Sequence, residues 1–567
     1  MRSNLSTRRR WLTAGAVTAG AAACFGMAGG SAYASGAASV HAQGPALTML
    51  DSQVLPHLSS YTDLGPTPAD QVFQVAIAMQ HDNAAVQRAV SDLYNPASPS
   101  FHQWLTPDQF QARFDASTER VATVRSFATA HGMQAYNTAG LGDLTLVSGT
   151  TAQVEQTFHV SMHQFRARNG QVFYANLNGP TVPSSVGVSG VIGLQNLLQM
   201  QLAPMGANAG SSPSSHSAAA SGQGQCVPSP QGGNAACTGL LGPQDLWSVY
   251  QEPSSDLGQG QSVGIIGEGR TDTVVSALRE FEKTRGLPNV PVQTYWTDSG
   301  AKTDDSGRVE WELDSQAITG MAPKISQLRL YFGSSLALSS LASSLQTWAS
   351  DPNGPQQVNA SLGICESFPG ADALLGPPQG ADSFALAQAA TEGRTFFAST
   401  GDTGGGCLLL FNPPVTPPGW PPPINGVWYG EFPFASYPAA DVNATGVGGT
   451  VIYTDGAGNL VNEHAWDHTG GTRSSYIAQP SYQSAVPQLA ANLCLSQSNG
   501  QPYVPPTPCR AISDVSALSG DGTIVLNHEG NTNAHQGPLP GPDQYPLGNN
   551  TIQANGCIGL DTRALTS

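Results

Sequence analysis

Charge is what this sequence has least of. Only 11% of its 567 residues are Asp, Glu, Lys or Arg, and 22 basic against 39 acidic residues leave a net charge of −17. So few cations exclude a nucleic-acid-binding protein, which needs a basic face to neutralise phosphates. Low charge density also argues against disorder of the highly charged kind. No internal run of about 18 apolar residues offers a membrane span. There is no phosphate loop and no His-Glu-x-x-His helix, and the glycines around Gly258 precede a strand instead of following one, which excludes a dinucleotide fingerprint. His464 and His468 stand four apart and could share one helix face, but no third ligand is near in the sequence, so a surface pair is the plainer reading. No internal repeat is visible, and the 64 glycines and 42 prolines follow no collagen period.

What is present begins with an apolar fraction of 40%, enough for a substantial core, in a chain long enough for three or four domains or two large α/β ones. Thr7-Arg8-Arg9-Arg10-Trp11-Leu12 leads into a small-residue apolar stretch, 14–27, and then Ala32-Tyr33-Ala34. That order predicts an export signal over 1–34, of twin-arginine or Sec type, and a secreted or periplasmic destination. Cys24 lies inside it. In an oxidising compartment the other seven cysteines would tend to pair. Cys226 with Cys237 and Cys494 with Cys509 would close short loops, Cys365 with Cys407 would tie two strand ends, and Cys557 is left over.

The chain changes character along its length. Residues 45–203 mix amphipathic helical stretches (68–93, 107–131) with strand-like runs (144–147, 160–165), which predicts an α+β domain. Residues 204–235 are Ser-, Gly-, Ala- and Pro-rich and make a flexible linker. From 236 to 567 short apolar strands (263–266, 328–331, 358–361, 395–398) alternate with helices (274–284, 336–349, 384–392). Such alternation predicts an α/β fold, a parallel sheet flanked by helices. Chemistry is then expected in the loops after Ser361 and Ala398, at the carboxyl ends of strands. The Pro-rich run 413–423, with Trp420 inside, is expected to be a rigid surface loop.

Two acidic clusters stand out against so sparse a background. In Glu310-Trp311-Glu312-Leu313-Asp314 a helix would put Glu310 and Asp314 on one face. Like charges there cost a few tenths of a kcal/mol, but neighbouring carboxylates favour a shared proton. Asp402, in Thr400-Gly401-Asp402-Thr403-Gly404, follows a strand that reads as buried. By spacing alone a solvated helix face and an ordinary Asp turn are the favoured readings of the two clusters.

A family resemblance adds to this. The run 98–110, Ser-Pro-Ser-Phe-His-Gln-Trp-Leu-Thr-Pro-Asp-Gln-Phe, is similar to the activation propeptide of the sedolisin (serine-carboxyl peptidase) family, of the kumamolisin and xanthomonalisin type. Glu310 and Asp314 match that family's Glu-x-x-x-Asp motif. Residues 400–404 match its Ser-Gly-Asp-x-Gly motif with Thr400 in place of Ser. The segments 446–450, 480–483 and 510–517 fit three further stretches. The resemblance implies a subtilisin-like sheet preceded by an α+β propeptide that acts as intramolecular inhibitor, and an acid-acting endopeptidase on protein or peptide substrates. It implies Glu310 as general base, Asp314 as the group that orients it, and Asp402 as donor to the oxyanion. Calcium is expected from the family.

The pattern breaks in two places. The family's Gly-Thr-Ser nucleophile segment, expected after Asp514-Val515-Ser516-Ala517, is not found, and neither are the calcium ligands beyond it. Ser474 in Gly470-Gly471-Thr472-Arg473-Ser474 is a poor substitute, since it fits an earlier glycine-rich segment. Leu362 stands where the family usually has Trp. With Cys557 unpaired, these departures lead to the expectation that the peptidase domain is incomplete at its C-terminal end. Two other functions compete: a non-catalytic secreted relative that binds peptides or inhibits, and a glycosidase using the carboxylates as its pair. The second leaves the propeptide-like region unexplained.

Overall fold

The computed structural model describes residues 46–202 and 242–520, apart from short internal stretches of which 412–427 and 495–505 are the longest, and four two- or three-residue strands elsewhere. The expected export signal, the linker, the 413–423 loop, Cys24 and Cys557 lie outside the described residues.

The first region is built on strand β1 (Val72–Met79), helices α1 (Asn83–Tyr94), α2 (Pro107–Phe114) and α3 (Thr118–Ala130), strand β2 (Leu144–Thr150), helix α4 (Thr151–Phe158), strands β3 (Met162–Arg166) and β4 (Val172–Asn176), and strand β5 (Val188–Ile192). β2, β1 and β5 are antiparallel neighbours in one sheet. The expected helix over 68–93 is therefore half strand. Val72 to Met79 is nearly all apolar because both faces of β1 are covered, and a continuous apolar run does not reveal its period. Phe73, Val75, Ile77 and Met79 face the region's own helices with Val124, Ala128 and Val147. Ala76 and Ala78, with Leu144 and Leu146 of β2, join the core of the second region instead. The expected helix over 107–131 is two helices, because Ser117 caps α3 by accepting from the Arg120 backbone N–H. Thr106 and Gln109 form a reciprocal capping box at the start of α2.

The second region contains β6 (Ser262–Glu268), α5 (Asp272–Arg285), β7 (Val292–Trp296), α6 (Arg308–Met321), β8 (Gln327–Gly333), α7 (Leu338–Ala349), β9 (Gln357–Ala360), α8 (Asp372–Thr391), β10 (Thr395–Ser399), β11 (Ala444–Thr454) and β12 (Val515–Gly520). These seven strands form a parallel sheet in the order β7-β8-β6-β9-β10-β11-β12. The architecture is the α/β one expected, a parallel sheet flanked by helices and preceded by a separate α+β unit. Ile265, Ile266, Leu328, Leu330, Phe332, Val358 and Phe396 fill its core, the near-continuous apolar strands that a sheet covered on both faces requires. The chain runs outward from β6 on one side and from β9 on the other, so the strand order reverses between them. A crevice opens at such a reversal.

The two regions share a core. Every residue of α7 but Thr347 is buried, because the helix lies between β8 and β6 on one side and β1 and β2 on the other. A second seam lies at the end of α8. Leu105 N–H donates to the Thr391 carbonyl at 2.9 Å, supplying one of the partners a helix C-terminus lacks. Beside it the Trp104 indole lies over Gly393, where a Cβ would come within 2.8 Å of the ring. Gly393 has a φ of +72°, so glycine is required there twice over.

Two of the expected disulfides are present, Cys365–Cys407 and Cys494–Cys509. Cys226 and Cys237 stand opposite each other in the register of two short antiparallel strands. The expected helix carrying His464 is a strand, Leu460–Ala465, with His464 opposite Val451 of β11, while His468 lies outside the described residues.

Candidate functional site

Helix α6 presents Glu310 in its first turn and Asp314 one turn later, each only 7% exposed. A helix N-terminus favours a carboxylate at Glu310, but dehydration outweighs it. Burial pushes the Glu310 carboxyl well above its usual range, and Asp314 and then Asp402 push it further. Burial also raises Asp314, to about 6, against the pull of hydrogen bonds from Ser361 and Asn359. The three acids singled out by their spacing are thus brought within reach of one another, although they come from two separate segments.

The crevice at the reversal of strand order explains the meeting. Glu268 ends β6, and its Oε1 lies 2.7 Å from where a Cβ on Gly307 would sit, immediately before α6. Ser361 follows β9, and Asp402 follows β10. The Ser361 hydroxyl donates to Asp314 Oδ1 at 2.7 Å. Glu268 is itself raised to about 7, first by burial and then by Asp304. Sequence reasoning passed over Asn359, Ser361 and Glu268 as partners. For the first two a signal existed, since both stand at the end of a strand in a loop already expected to carry chemistry.

The Asp402 loop is held from below. Thr400, buried, donates its hydroxyl to the Gly470 carbonyl at 2.6 Å, and Gly470 N–H donates back to the Gly401 carbonyl. A Cβ on Gly470 would fall 1.8 Å from the Thr400 carbonyl oxygen. Gly401 sits at φ +98°, the left-handed turn that aims the following Asp402. Thr400 therefore performs its bonding with the hydroxyl it shares with serine.

Ser474 belongs to a different cluster. It is buried, donates to Glu366 Oε2, and accepts from the backbone N–H groups of Tyr476 and Ile477. Its hydroxyl is thus bound to Glu366 and not to Glu310, which removes the remaining ground for it as a nucleophile. Leu362 is buried in a short strand, Leu362–Cys365, paired with Ser436–Tyr437. Arg510, which is buried, and Asp514, from another of the matching segments, form an ion pair. The guanidinium donates to both Asp514 oxygens at 3.0 and 2.6 Å and to the carbonyls of Ala439, Ala440 and Ala444. Among the described residues no group of three or more His, Cys, Asp or Glu could hold a metal ion. They offer no ligand set that fits the expected calcium. No helix among them is long and apolar enough to cross a membrane.

Comparison with known proteins bears on both regions. Residues 59–197 match the family model of the Pro-kumamolisin activation domain. The chain is 28% identical over 480 residues to sedolisin of Pseudomonas sp. (strain 101), covering 81% of this chain and 73% of that protein. It is 29% identical over 456 residues to xanthomonalisin of Xanthomonas sp. (strain T-22), covering 74% of this chain and 52% of that one. Kumamolisin of Bacillus sp. (strain MN-32) is 25% identical over 487 residues, covering 82% and 78%. Among solved structures, Pseudomonas sedolisin (serine-carboxyl proteinase) complexed with two molecules of pseudo-iodotyrostatin is 29% identical. That match covers 53% of this chain and 77% of the other, with a TM-score of 0.41. With an activation domain ahead of a seven-stranded parallel sheet, the chain is similar along most of its length to serine-carboxyl peptidase precursors of the sedolisin type.

Proposed function

We propose that this chain is that of an acid-acting serine-type endopeptidase precursor, exported and matured by cleavage in the 204–235 linker, with the serine nucleophile segment not found among its residues. Glu310 is the general base, Asp314 orients it, and Asp402 donates a hydrogen bond to the oxyanion while protonated. The observation that carries this reading is the convergence of three acids in a crevice where burial disfavours the charge of Glu310 and Asp314. A carboxyl group can donate only while neutral, so the arrangement suits an acidic medium. The activation domain is the intramolecular inhibitor, and its packing against α7 and α8 supports that role. Calcium remains an expectation from the family and enters no step.

The test is self-processing. Purified full chain is held at pH 3–5 and at pH 7, and linker cleavage is followed by mass spectrometry. Cleavage at acid pH that Glu310→Gln abolishes supports the peptidase. Peptide binding without turnover at any pH overturns it in favour of a non-catalytic, peptide-binding relative.

A further inference from the structure

Two buried carboxyls four residues apart resist losing both protons, so that between their two titration steps the pair carries one. Something must decide which of them carries it. Ser361 is placed to do so. Its half-buried hydroxyl, at the carboxyl end of β9, donates to Asp314 Oδ1 at 2.7 Å, and it also acts on Glu310, one turn earlier on α6, whose proton affinity it lowers. Asp314 Oδ2 is buried and has no hydrogen-bond partner, so the Asp314 carboxylate depends on Ser361 and Asn359 for its hydrogen bonds.

We propose that Ser361 is a positioning residue whose hydroxyl bridges Glu310 and Asp314 and relays their shared proton between them. The inference rests on the reading of Glu310 as the base. A hydroxyl has one hydrogen to give and lone pairs to accept with. While it donates to Asp314 it accepts from protonated Glu310, and the negative charge rests on Asp314. When the Glu310 hydrogen passes to Ser361 Oγ, the Ser361 hydrogen passes to Asp314 Oδ1. Glu310 is then the carboxylate, as a base must be, and Asp314 is neutral. One O–H bond breaks and one forms on Ser361, and the charge of the pair is unchanged. Ser361 gives its hydrogen to the orienting acid, so it is bound as a bridge and not as a nucleophile handed to its base. The charged groups acting on Glu310 are Asp314 on its own helix and Asp402 from the loop after β10.

The experiment is an infrared titration of the protonated-carboxyl C=O bands from pH 3 to 9 on the full chain. It compares the natural chain, Ser361→Ala and Ser361→Thr, with Glu310→Gln and Asp314→Asn to assign the bands. Loss of the hydroxyl should move the Asp314 step up by about one pH unit, a tenfold change in its proton affinity. Threonine should restore it. An Asp314 step that stays put in Ser361→Ala overturns the proposal, and so does a threonine variant that behaves like alanine. Should Ser361→Ala fail to fold by circular dichroism, Ser361→Cys replaces it, keeping the volume with a weaker donor. Linker cleavage by the natural chain tests the peptidase reading separately. Its absence beside an intact band shift sinks that reading and leaves the bridge standing.

Discussion

Asp298, part-buried, and Asp314, buried, are both carboxyl groups that burial pushes upward in the same domain, yet their proton affinities move in opposite directions. Burial pushes Asp298 upward, but Lys302, the Ser334 N–H and the Ser340 hydroxyl outweigh it and hold the group below its ordinary value. Lys302 Nζ lies 2.6 Å from Asp298 Oδ1, and Ser340 donates to Oδ2 at 2.7 Å. Asp314 has hydrogen bonds from Ser361 and Asn359 but no cation, and a like-charged Glu310 beside it. Depth in the protein is therefore not what makes an acid available for proton transfer. The supply of donors and of opposite charge is. Asp298 is furnished to stay ionised and hold a loop, whereas the Glu310–Asp314 pair is left short of partners and keeps a proton to exchange.

Breaking each side of this contrast should have a different signature. The largest effect is on chemistry: whatever acid cleavage of the linker the chain performs should fall by about 10³-fold in Glu310→Gln, within the span of general-base loss, as followed by mass spectrometry. Next comes Asp298→Ala, which strands Lys302 and two other donors in a buried site. Breaking a buried pair in this way costs about 3 kcal/mol, to be measured by urea unfolding at pH 6.

The pH dependence sharpens the contrast further. Glu310 and Asp314 have raised folded values, so their contribution to stability is fully present below about pH 4. It is lost as the pH rises through the folded values, near 6 for Asp314. Glu310→Gln should thus match the natural chain at pH 4 and exceed it in stability at pH 8. Asp298 runs the other way: its contribution is present above about pH 4 and fades as the pH falls through its lowered value. Unfolding curves across pH 3–8 for the two variants should therefore both leave that of the natural chain as the pH rises, Glu310→Gln above it and Asp298→Ala below it. The smallest effect is Ser340→Ala, which removes one of several donors to Asp298 and should cost about 1 kcal/mol in the same assay at pH 6.

Motifs made the three acids legible, because Glu310, Asp314 and Asp402 each sit inside a short pattern whose spacing survives in one sequence. Ser361 and Asn359 reach Asp314 across 47 and 45 positions, a distance along the chain that no local pattern encodes. The parallel sheet was legible from alternating apolar runs and helices. β1 was not, because Val72 to Met79 serves two cores at once and so lost the alternation that marks a strand. The break between α2 and α3 hinged on one capping serine, Ser117, inside a pattern that otherwise continues.

The seating of Trp104 on Gly393 gives the molecule an optical handle. An indole already 37% exposed, with one face pressed against backbone at the seam between activation domain and sheet, loses that cover whenever the two part. Its emission should then shift to the red, while Trp311 and Trp348, fully buried within the peptidase domain, keep theirs. Subtracting the spectrum of a Trp104→Phe chain would isolate that signal. The departure of the activation domain could then be timed in solution, with no label attached and the cleft untouched.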